Sequence, residues 1–126
     1  PHRINSTALP PAIVAGIEEV INIIEGQFSS LKEKMHSHKQ VLFNSLVDSG
    51  FDVVSAEAPI NSIRTGSKEN TILLAKKFYE QGILTTPFIE PSVPVGEGRV
   101  RLIAGANLSK ETIDEVASIV KRIRCI

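Results

Sequence analysis

Net charge is the first thing this sequence lacks. Its 14 lysines and arginines are matched by 14 aspartates and glutamates, which excludes the basic footprint of a nucleic-acid or anionic-membrane binder. Cysteine is nearly absent too. Cys125 stands alone near the C-terminus, so no disulfide framework can form within the chain, and a reducing compartment, the cytoplasm, is the expected location. No apolar run approaches the roughly 20 residues of a membrane-spanning helix, and no signal peptide opens the chain. The chain begins Pro1-His2-Arg3 without a methionine, and a further segment upstream is expected. Chemical signatures are equally scarce. There is no glycine-rich phosphate loop, no Cys-x-x-Cys and no Ser-His-Asp series. The three histidines are His2, His36 and His38. The last two are two residues apart on an expected helix and face different ways, so no metal site is expected there.

What is present is enough for one domain with a real core, given 126 residues. After "STALPP", apolar residues Ile13, Ile17, Val20, Ile21 and Ile24 recur at helical spacing up to Gly26, which is read as a stop. A second helical pattern follows, with Phe28, Leu31, Met35, Leu42 and Leu46 on one stripe and Gly50 placed as its terminator. Beyond Gly50 the period changes. "FDVVS" and "INSIRTG" read as strands, the second setting Ile60, Ser62 and Arg64 on one face against Asn61, Ile63 and Thr65 on the other. A helix is expected from about Glu69 to Gln81, then a strand in "ILTTPFI" interrupted by Pro87, then a strand in "GRVRLIA". Ser109 is placed to cap a last helix with Ile113, Val116, Ala117, Val120 and Ile123 on one stripe. The fold class expected is α+β, a two-layer sandwich in which helices cover one face of a small, mainly antiparallel sheet. Arg99 and Arg101 then lie on the uncovered face if Val100 and Leu102 meet the helices. Taken alone, both arginines could equally be solvated charges at a sheet edge, the commoner fate of arginine.

Four segments in order, "NSTALPPAIVAGIEEVINIIEG", "INSIRTG" with its helix and "GIL", "PSVPVGEGRVRL", and "SKETIDEV", together resemble the C-terminal portion of the α-oxoamine synthases. These are fold-type I pyridoxal-phosphate enzymes of the 8-amino-7-oxononanoate synthase, glycine C-acetyltransferase and serine palmitoyltransferase type, in the class II aminotransferase family. The resemblance covers essentially the whole chain. It departs from the family pattern at Leu108-Ser109, where many members have His-Thr, and at Asn5-Ser6, where an aromatic residue usually precedes the serine.

The resemblance implies a homodimeric acyltransferase that condenses an amino acid with an acyl-CoA, using pyridoxal 5'-phosphate as its electron sink. It implies that residues 1–26 lead in from a large cofactor domain and that residues 27–126 form the small α/β domain. Arg101, the second arginine of the Arg-x-Arg strand, would bind the amino-acid carboxylate, whose two oxygens match a planar guanidinium. Arg99 would be structural or solvated. Ser6, with Thr7 beside it, would donate a hydroxyl to the cofactor phosphate of the neighbouring subunit, although a helix-capping role suits the same residues. None of the eight lysines sits in the family's cofactor-binding setting, so no catalytic residue is expected in this chain and the chain alone is expected to be inactive. Two alternatives stay open: another fold-type I aminotransferase domain, and a non-catalytic amino-acid-binding regulatory module.

Overall fold

The computed structural model describes residues 7–55 and 57–123. Their elements run α1 (Pro11–Asp48), β1 (Val53–Ser55), β2 (Ile60–Gly66), α2 (Lys68–Glu80), β3 (Thr86–Phe88), β4 (Gly98–Ile103) and α3 (Lys110–Arg122). The strands form one antiparallel sheet in the order β1-β2-β4-β3. This is the α+β class expected from the periodicities. Cys125 and Ser6 lie outside the described residues.

One expectation fails: the first two helical patterns form a single helix of 38 residues. Gly26 does not stop it. An interior glycine costs a helix only about 1 kcal/mol relative to alanine, and no proline stands near Gly26 to add a steric break. The terminator is Gly50, whose φ of 84° is the left-handed conformation that glycine adopts without a Cβ penalty.

The described residues form two compact units, divided between Lys32 and Glu33. In the first, Ile13, Ile17, Val20, Ile21, Ile24 and Phe28 of α1 are all exposed. The apolar stripe that helical spacing sets along this part of α1 is therefore open in this chain. In the second unit, sequence alternation becomes layering. Ile63 of β2 pairs with Val100 of β4, and Asn61 pairs with Leu102. Ile63, Val100 and Leu102 are buried against Leu46 of α1, Leu74 and Phe78 of α2, and Ile119 and Val120 of α3. Each such side chain contributes on the order of 1.5–3 kcal/mol by leaving water. Asn61, also buried, donates from Nδ2 to the Lys39 carbonyl at 3.2 Å and ties β2 to α1.

The caps were readable. Ser67 and Ser109 accept from the backbone N–H groups of Asn70 and Thr112, satisfying donors that the first helical turn leaves open. At the start of α3, Glu111 is held below the usual carboxylate range by its own backbone N–H, then by the Ser109 hydroxyl, with Lys110 adding attraction. His38 is buried at the edge of the core, its Nδ1 3.1 Å from the Gly105 carbonyl.

Candidate functional site

The sheet face turned away from the helices is set by register. Ser62 and Thr86 stand opposite Arg101 from β2 and β3, while Arg64 and Phe88 stand opposite Arg99. Directly opposed residues project to the same side of a sheet, so these six side chains share one face. Arg99 and Arg101 are thus on one side and Val100 and Leu102 on the other, as the alternation required.

The two arginines differ in what holds them. Arg99 has a carboxylate of its own: its Nη2 lies 3.4 Å from Glu97 Oε2. Arg64, across the ladder, is 3.9 Å from Asp52 Oδ2. These exposed pairs offset the repulsion of two opposed cations, and pairs of this kind contribute about 0–1 kcal/mol. They flank a cleft of about 480 Å³ lined by Asp52, Arg64, Glu97 and Arg99 together with Gly66, Gly96 and Gly98. Arg101 stands outside that cleft. Among the described residues no carboxylate lies within ion-pair distance of it. Its Nε, like that of Arg99, is closed off from solvent with no hydrogen-bond partner; what sets it apart is that its Cζ lies 4.3 Å from the centroid of the Phe88 ring. Arg101, half-buried, is therefore a cation with an aromatic neighbour and, among the described residues, no counter-ion.

Two features of this face were missed by the sequence reading: Phe88 beneath Arg101, and Arg64 directly across from Arg99. The alternation within β2 does set Arg64 on the same face of its strand as Ser62. Which strands pair, and in what register, is not carried by alternation within either one.

Thr7, in the first unit, is exposed and lies four residues before α1 begins. In the first turn of α1 the amides of Ile13 and Val14 donate to the Pro10 carbonyl. No hydrogen bond among the described residues uses the Thr7 hydroxyl for capping. All eight lysines lie on helices: Lys32, Lys34 and Lys39 on α1, Lys68, Lys76 and Lys77 on α2, Lys110 and Lys121 on α3. No strand residue of the arginine face offers an amine for covalent attachment of an aldehyde cofactor. Among the described residues no group of His, Cys, Asp and Glu is gathered for a metal ion, and no helix is long and apolar enough to cross a membrane.

Residues 2–120 match the family described as aminotransferase class I and II. The chain belongs to the aminotransferase class I and II family. Within it, the chain is 31% identical over 118 residues to the 8-amino-7-oxononanoate synthase of Thermoanaerobacter pseudethanolicus, covering 94% of this chain and 30% of that protein. Against the 8-amino-7-oxononanoate synthase of Treponema denticola it is 32% identical over 119 residues, with the same shares. The serine palmitoyltransferase of Sphingomonas wittichii superposes with a TM-score of 0.83 over 94% of this chain and 30% of its own, at 19% identity. That likeness is one of fold. This aminotransferase-family chain spans about 30% of the length of the curated relatives it matches, and its sheet and helices match the fold of the corresponding part of that serine palmitoyltransferase.

Proposed function

We propose that this chain is the C-terminal part of a pyridoxal-phosphate-dependent acyltransferase that joins an amino acid to an acyl-CoA, and that Arg101 binds the carboxylate of the amino acid. The observation that carries the reading is the state of the Arg101 head, half-buried and without a carboxylate partner among the described residues. Arg99, already beside Glu97, is the structural member of the pair. A guanidinium without an internal partner keeps its planar donor fork for a ligand carboxylate, which it can take through two parallel charge-assisted bonds. Holding one end of the substrate in this way fixes the direction of its α-carbon, and positioning of this kind lowers a barrier by several kcal/mol.

The cofactor, when bound, supplies the electron sink for the α-carbon. The arginine face carries no lysine, so the covalent anchor belongs to another part of the enzyme. What this chain can offer the cofactor is a hydroxyl. The exposed Thr7 is suited to donate to a phosphate oxygen, with Ser6 beside it in sequence, and in a homodimer that phosphate is the neighbouring subunit's. Residues 1–26 then lead in from the cofactor domain and residues 27–126 form the small domain. The enzyme works in the cytoplasm.

The test is an assay of the full-length protein that carries this chain. Free CoA should be released from an acyl-CoA only when an amino acid is present. Keto-acid-dependent amino transfer with no CoA release would make the protein an ordinary aminotransferase and overturn the reading.

A further inference from the structure

Arg101 reaches the substrate end of its side chain across several rotatable bonds, and a bidentate grip needs the guanidinium held in place before the carboxylate arrives. β4 fixes only the Cα. At the other end, Nε is shut away from water without a hydrogen-bond partner, and no carboxylate among the described residues orients the head. One side chain does meet it. Thr86 is opposite Arg101 and Phe88 is two residues further along β3, so Phe88 is the diagonal neighbour of Arg101 on the same face, a separation that aromatic and long side chains span. The distance of 4.3 Å from Cζ to the ring centroid is well inside the range of cation–π attraction. Phe88 is itself half-buried, a setting in which that attraction is less screened than at an open surface.

We propose that Phe88 is a positioning residue for Arg101, its ring holding the guanidinium ready for the substrate carboxylate; this rests on the reading of Arg101 as the carboxylate-binding group. The division of labour follows from the shape of the two groups. A guanidinium carries its N–H donors around its edge, whereas the aromatic ring attracts the positive charge without accepting those donors in the manner of a carboxylate. A carboxylate from the chain itself would hold the head equally still but would occupy the donors that the substrate needs. Phe88 therefore steadies Arg101 without competing for its ligand. Glu97 beside Arg99 shows the other arrangement on the same strand.

The experiment is steady-state kinetics of the full-length enzyme with Phe88→Leu, which keeps an apolar side chain but has no π face, and Phe88→Tyr, which keeps the ring. Phe88→Leu should raise the amino-acid KM about five- to tenfold while kcat at saturation and the acyl-CoA KM stay within about twofold; Phe88→Tyr should stay within about twofold throughout. An amine analogue of the substrate lacking the carboxylate, used as a competitive inhibitor, should bind equally well to the Leu variant and the parent. In an Arg101→Ala background Phe88→Leu should add nothing further, since the group it positions is gone. Phe88→Met, also without a π face, takes the place of the Leu variant if that one does not fold. Equal effects of Leu and Tyr, or an undiminished effect in the Arg101→Ala background, would overturn the positioning role. If Arg101→Ala raises the amino-acid KM and Phe88→Leu does not, the inference alone is wrong. If Arg101→Ala leaves that KM unchanged, the carboxylate reading is wrong and the inference goes with it.

Discussion

Gly98 opens β4 in a space that holds no side chain. A Cβ there would run into Thr71 Oγ1 and lie 2.8 Å from the Gly66 carbonyl oxygen and 3.1 Å from that of Ser67. Neither neighbour yields cheaply. The carbonyls are backbone, and Thr71 is fully buried, with Oγ1 2.7 Å from Thr65 Oγ1 and donating to the Ser67 carbonyl at 2.8 Å. Gly98→Ala should therefore destabilise the chain by about 1–3 kcal/mol through overpacking, read as a lower denaturant midpoint at unchanged slope. An unchanged midpoint would contradict the tight approach of β4 to the start of α2. Residue by residue, the sequence was most legible where the chemistry is local. The Arg-x-Arg alternation gave the side on which both guanidiniums lie, and Glu97, two positions before Arg99, was there to be seen as its partner. Phe88 was not legible as the neighbour of Arg101. That contact depends on β3 pairing with β4 in one register, and twelve residues separate Phe88 from Arg101 in the chain.

Elements were legible wherever a stop carried a positive φ or a cap carried a hydroxyl. Gly50 and Gly82, at 84° and 82°, end α1 and α2 close to where they were expected, and Ser109 caps α3 as read. Gly26 misled because a glycine inside an apolar periodicity can be either a terminator or merely a weak helix residue, and the amino-acid type alone does not decide between them. The structure settles it: Gly26 has ordinary helical neighbours and nothing within 4 Å of the place a Cβ would take. Gly26→Ala should consequently stabilise the helix by about 0.5–1 kcal/mol, since alanine has less backbone freedom to lose. Thermal unfolding followed by far-UV circular dichroism measures this. A lower melting temperature would mean that α1 is broken at Gly26 after all. Opposite signs for Gly26→Ala and Gly98→Ala follow from local space alone.

For the whole molecule, the family and the fold were readable from four segments in order, while the chemistry was readable only in part because this chain carries only part of it. Its lysines are all helical, its arginine face has no amine, and it spans about 30% of the length of its curated relatives. The central proposal for this chain is that Arg101 places the amino-acid substrate. The most direct measurement is the amino-acid specificity constant, kcat/KM, of the full-length enzyme with Arg101→Ala, Arg101→Lys and Arg99→Ala. Losing a charge-assisted bidentate contact in a partly desolvated site costs on the order of 2–5 kcal/mol, so Arg101→Ala should lower that constant roughly 30- to several-thousand-fold. Arg101→Lys should recover only part of the loss, because an ammonium keeps the charge and not the planar fork. Arg99→Ala should cost far less, its cation being already beside Glu97, and the acyl-CoA KM should move little in all three. Equal and small effects at both arginines would contradict the account, leaving "GRVRL" as a charged strand and nothing more.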